Sequence, residues 1–124
     1  MKDYKVTIAS ARKALSGKEK VMVKDFTNAF SIDDLTKETS LVLKIENVIE
    51  CDVHNPASED KDYKKYVIID AEGNKYVTGS ESCITTLTDI LDEMEGESEA
   101  FEVEFYQKES KNYKGKSFIT CSIV

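Results

Sequence analysis

Leu41, Leu43 and Ile45 alternate with Val42, Lys44 and Glu46, the period of two that sets one face of a strand against a core. A polar stretch from Asp52 to Asp62, holding the only proline, Pro56, has no apolar period and reads as a loop. Lys64–Asp70 and Asn74–Thr78 then flank Ala71-Glu72-Gly73, where the Gly-Asn step supplies the positive backbone dihedrals of a hairpin. From Gly79-Ser80 onward the period changes: Ile84, Leu87, Leu91 and Met94 recur at helical steps, Ile90 widens the stripe, and Gly96 stands where a helix is capped. Phe101, Val103 and Phe105 alternate with Glu102, Glu104 and Tyr106, and Ile119, Cys121 and Ile123 with Phe118, Thr120 and Ser122, so two more strands follow.

The first forty residues are less legible. Tyr4, Ile8, Ala11 and Leu15 fit a helical face, while Tyr4, Val6 and Ile8 fit a short strand equally well. Val21–Phe26 has strand propensity, and Ser31-Ile32-Asp33-Asp34 resembles a capping box before a short helical turn. The expected architecture is therefore a single all-β domain with one main helix. Residues 1–38 form an N-terminal extension, and residues 39–124 run strand, strand, strand, helix, strand, strand. That order is the one found in the oligonucleotide/oligosaccharide-binding (OB) barrel, a five-stranded fold whose loop between strands four and five grips ligand.

Composition narrows the function. With 40% apolar and 33% charged residues the chain is an ordinary soluble one, and runs such as Val67-Ile68-Ile69 are too short to cross a bilayer. No apolar stretch follows Met1–Lys5, so the expected location is the cytoplasm. Cys51, Cys83 and Cys121 are odd in number and widely spaced, as buried reduced thiols would be. His54, the only histidine, stands near Cys51 without a second ligand pair, so neither a metal nor a cofactor is expected. There is no nucleophile–base arrangement of recognised context, no P-loop and no dinucleotide fingerprint, so neither catalysis nor a small-molecule substrate is expected.

The net charge of -7 is unevenly spread. Nine of the 24 acids lie between Val77 and Gln107, where there is no Lys or Arg; all 17 basic side chains face the remaining fifteen. The segment Lys108–Lys116 carries four lysines and a tyrosine. Local field steers a ligand, and this segment suits phosphates and bases. Lys111, Lys114 and Lys116 are the phosphate candidates, with Gly115 allowing close backbone approach and Tyr113 free to stack on a base. Phe118 is either an outward platform or part of a small cluster under the N-terminal segment. Tyr66 and Tyr76, on strands two and three, are candidate sheet-surface rings beside Lys64, Lys65 and Lys75. Cross-strand pairing of the rings and protection of strand edges by the lysines are the structural alternatives. The acidic helix face offers a different use, as a docking surface for a basic protein.

Three stretches, Lys24–Ala29, Tyr66–Tyr76 and Glu109–Phe118, give the chain a further likeness. From about Val21 to Val124 it resembles the single-stranded DNA-binding proteins of tailed phages of Gram-positive bacteria, including the protein-primed group. The resemblance implies an OB-like fold that coats replicating DNA without sequence preference, in the host cytoplasm, alongside phage replication proteins. The acidic C-terminal tail of the better-known bacterial proteins of that function is missing, which leaves tail-mediated recruitment in doubt. An RNA-binding OB domain is the nearest alternative.

Overall fold

A bent strand joins two sheets in the computed structural model, which describes residues 4–59, 61–97, 100–109 and 117–124. The elements are β1 (Lys5–Ala11), α1 (Gly17–Lys24), β2 (Phe30–Ser31), α2 (Ile32–Leu35), β3 (Leu41–Leu43), β4 (Ile45–His54), β5 (Asp62–Asp70), β6 (Lys75–Thr78), α3 (Glu81–Met94), β7 (Val103–Glu109) and β8 (Ser117–Ile123). One sheet has the order β1-β4-β5-β6-β2 and the other β3-β7-β8. Only Lys44 separates β3 from β4, so a single stretch of chain leaves one sheet and enters the other.

From Leu41 onward the expected elements stand in the expected order, with shifted edges. The strand expected at Leu41 continues to His54, three residues into the expected loop, because the buried alternation of Ile49 and Cys51 carries on to Val53. Gly73 takes φ +89 in the β5–β6 hairpin, and Gly96 takes the same angle one residue after the C-cap Glu95 of α3. Both are conformations that a side chain disfavours. Ser80 caps the start of α3 by accepting from the Cys83 N–H, and Cys83, Ile84 and Leu87 carry the buried stripe. Cys121 Sγ donates to the Cys83 carbonyl at 3.7 Å, which ties β8 to that helix.

The main core lies between the sheets and α3. Phe105, Leu87, Ile68 and Ile32 are fully buried there, with Leu43, Val48, Val103, Ile119 and Cys121 around them. A second cluster sits on the opposite face of the larger sheet: Ile49, Cys51, Val67 and Val77, covered by Val23 and flanked by Leu15, Phe26 and Ala29. The middle of β5 is therefore buried on both faces.

Residues 4–36 are thus not an appended extension. β1 pairs antiparallel with β4 along most of its length. The strand propensity at Val21–Val23 is overridden by a helix start: Ser16 accepts from the Glu19 N–H at 3.1 Å while the Glu19 carboxylate accepts from the Ser16 N–H at 2.8 Å. This reciprocal pair commits the next turn to helix and turns Val23 onto the second cluster.

The expected all-β character with one long helix is present, and the strands lie in two open sheets. Among the described residues no ladder joins β6 to β8; β6 instead pairs in parallel with β2. Residues 30–36 fill that seam. Ile32 enters the main core, Thr78 Oγ1 donates to Asp33 Oδ1 at 2.9 Å, and Gln107 Nε2 donates to the Asp33 carbonyl at 2.9 Å and to Thr36 Oγ1 at 3.1 Å. Ser31, capping α2 as the sequence pattern suggests, accepts from the Asp34 N–H. Residues 30–36 thus bridge β6 and β7 through side-chain hydrogen bonds.

Asp70 supplies a pH dependence. Burial pushes its carboxyl up, but hydrogen bonds from Asn74, from the Glu72 N–H and from the Tyr76 hydroxyl outweigh that and hold it below the usual value. A depressed folded pKa stabilises above the unfolded value of about 3.9 and is lost as pH falls through the folded one. In acid unfolding followed by circular dichroism, Asp70→Asn is expected to be less stable than the native chain at neutral pH and to lose stability less steeply below about pH 4.

Candidate nucleic-acid interface

The smaller sheet has one face inward and one outward, as its alternation requires. Val103, Phe105, Ile119 and Cys121 point to the core, which leaves Glu104, Tyr106 and Lys108 of β7 and Phe118, Thr120 and Ser122 of β8 on the other side. Register sets the neighbours: Lys108 lies opposite Phe118, Tyr106 opposite Thr120, and Glu104 between Ser122 and Val42 of β3. Phe118 is 42% exposed, and the half-exposed Tyr106 is held along the sheet by a 2.9 Å hydrogen bond between its hydroxyl and Ser122 Oγ. Two rings therefore sit diagonally on adjacent strands beside an exposed ammonium group, at the end of the sheet where β7 and β8 lead into residues 110–116. Phe118 takes the outward one of its two expected placements, and among the described residues no apolar cluster forms over it.

Tyr66 and Tyr76 do not lie on an open surface. They are 4% and 8% exposed within the main core, and the Tyr76 hydroxyl donates to Asp70 Oδ2 at 3.2 Å. Because Val67, Ile68 and Ile69 form an unbroken apolar run, alternation cannot say which face of β5 looks inward. The even-numbered face does, and the odd-numbered face lies beneath α1. Burial pushes the pKa of both phenols above the ordinary value, Tyr66 further through Glu81 and Tyr76 further through Asp70, so both resist ionisation.

The strand lysines divide. Lys64 is shared between Glu50 Oε2 and Asp52 Oδ1, both at 2.7 Å, and hydrogen bonds to these carboxylates, Asp52 foremost, hold its pKa above the ordinary lysine value. Lys75 donates to the carbonyl of Met22 at 2.6 Å and to that of Asp25, tying off the C-terminal end of α1. Neither is free for phosphate. Lys75→Ala is expected to lower stability by about 1–2 kcal/mol, the modest end for charge-assisted hydrogen bonds at an exposed site, without altering the salt dependence of any DNA binding. Urea unfolding and a salt titration together check this. Lys65, opposite Cys51, enters none of the ion pairs among the described residues. Lys111, Tyr113, Lys114 and Lys116 lie outside the described residues.

Tyr106 and Lys108 are absent from the residues singled out on sequence as stacking or phosphate-binding groups, although their signal was present. Once Val103 and Phe105 are inward, period two places Glu104, Tyr106 and Lys108 together outside. No cluster of His, Cys, Asp and Glu among the described residues has the geometry of a metal site. Burial pushes the Cys51 thiol up to about 11, so it is protonated at neutral pH. No helix of the described residues is long and apolar enough to cross a membrane. Comparison with protein-family models, with curated proteins and with solved structures gives no match.

Proposed function

We propose that this protein binds single-stranded DNA without sequence preference, coating and protecting it during phage replication in the host cytoplasm, and that its fold is an OB barrel with a substituted seam. The single observation that carries the binding reading is the outward face of β7 and β8. There Phe118, Tyr106 and Lys108 adjoin a segment with three further lysines and a tyrosine. Every base has a π-face, so exposed rings take any sequence, while lysines replace the counterions of the phosphates. The barrel reading rests on the pairings: a bent first strand bonded to β5 on one side and to β7 on the other, β6 after β5, and the helix before β7. In this reading the N-terminal segment takes the place of the last barrel pairing.

The test is an oligo(dT) titration. The chain has no tryptophan and six tyrosines, so tyrosine fluorescence reports stacking directly. Quenching is expected, with log affinity falling against log salt by about 0.7 per phosphate contact. Unchanged fluorescence and no retardation of the oligomer at low salt would overturn the reading and favour a protein-docking role for the acidic α3 face. Tighter binding of the matched RNA oligomer would make RNA the ligand.

A further inference from the structure

The face of the larger sheet that carries α1 has a second set of rings and cations. Register places Val6, Val53 and Tyr63 in one row and Ile8, Cys51 and Lys65 in the next, all on the same side, with Tyr4 continuing that side past Val6. α1 lies over these rows. Its Lys20 and Lys24, four residues apart and so on one helix stripe, line a groove of about 360 Å³ with Val6 and Ile8. Lys24 lies in the neighbourhood of Cys51, and Tyr4 in that of Tyr63. Tyr4 is 46% exposed, and Tyr63 is half-exposed.

Electrostatics separates the two sides of this hairpin. On the opposite side stand Glu50, Asp52, His54 and Asp62, where Lys64 is neutralised and His54 Nδ1 lies 2.7 Å from Asp62 Oδ1. Lys20, Lys24 and Lys65, by contrast, enter none of the ion pairs among the described residues. The acid nearest Lys20 in sequence, Glu19, is committed to the Ser16 cap. The result, in a chain of net charge -7, is a locally cationic surface flanked by two phenol rings. Such a surface matches a single strand of nucleic acid in both charge and stacking.

We infer that the α1–β1–β5 surface is a second platform for the same DNA strand, with Lys20, Lys24 and Lys65 on its phosphates and Tyr4 and Tyr63 against its bases. This rests on the DNA-binding reading above and extends it: the strand engages two outward faces, one on each sheet.

The test compares oligo(dT) of about 4 and about 16 nucleotides, the limits of footprints for OB domains. The proteins are the native chain, the double variant Lys20→Glu with Lys24→Glu, Tyr63→Ala, and Phe118→Ala. The double variant is expected to bind the short oligomer as the native chain does, to bind the long one at least about tenfold more weakly, and to lose roughly 1.4 units of salt slope on it. Tyr63→Ala is expected to weaken only the long oligomer. Long-oligomer affinity and slope unchanged in the double variant, while Phe118→Ala weakens both lengths, overturns the second platform and leaves the first intact. Failure of the native chain to bind either length overturns both. Circular dichroism verifies folding; the substituted lysines are exposed, and Tyr63→Ala is judged only if its melting curve remains cooperative.

Discussion

Removal of residues 1–38 is expected to abolish cooperative folding of the remainder. Two losses combine. Ile32 leaves the centre of the main core, and Val23, with Leu15, Phe26 and Ala29, leaves the outer face of the larger sheet, uncovering Ile49, Cys51, Val67 and Val77. Fully burying a large apolar side chain is worth about 1.5–3 kcal/mol, and a small domain has only about 5–15 kcal/mol of net stability. Ile32→Ala alone is expected to cost about 2–5 kcal/mol, because its side chain is fully buried in the main core. Urea unfolding measures both. A fragment of residues 39–124 melting in one transition near the native temperature would show that the strands and helix from Leu41 onward stand without residues 1–38, as the sequence pattern first suggests.

Under the proposed DNA-binding function, Phe118→Ala combined with Tyr106→Ala is expected to have the largest effect on oligonucleotide affinity of any pair of substitutions in the described residues. Each ring stacked on a base is worth roughly 1–3 kcal/mol by truncation, which is about 5- to 150-fold in affinity per ring. Because Phe118 is already 42% exposed, its removal is expected to leave the melting temperature nearly unchanged. The Tyr66→Ala variant provides the contrast: its ring is 4% exposed, so stability is expected to fall while the salt slope of binding holds. Fluorescence and gel retardation at two salt concentrations separate the outcomes. Native affinity in the double ring variant would move the interface away from β7 and β8.

What the chain showed before its structure depends on how many faces of each element are buried. The strands of the smaller sheet have one wet face, so period two set Phe105 and Ile119 in alternating rows and Phe118 on the face opposite Ile119, with its outward or clustered placement still open. α3 has one buried stripe, and its helical spacing was equally plain. β5 has no wet face at its centre, so its two tyrosine neighbours could not be oriented from spacing, and the inward placement of Tyr66 follows from α1 covering the other side. Nor does local pattern announce a parallel pairing as short as Phe30–Ser31 with β6, since two residues have no period. Val21–Val23 was read by propensity, whereas the cap at Ser16, several residues earlier, decides its conformation. Lys64 and Lys75 were read by charge alone; their partners are brought to them only by register and by α1.

The parallel pairing of Phe30 with Tyr76 also sets an order of events during synthesis. Residues 30–36 emerge from the ribosome well before β6 exists to receive them, so Ile32 has no partner until the β4–β5–β6 meander is complete. Such a closing step carries a loop-closure entropy cost before its contacts form, as do the equally distant pairings of β1 with β4 and of β3 with β7, so most of this fold depends on non-local contacts that form late.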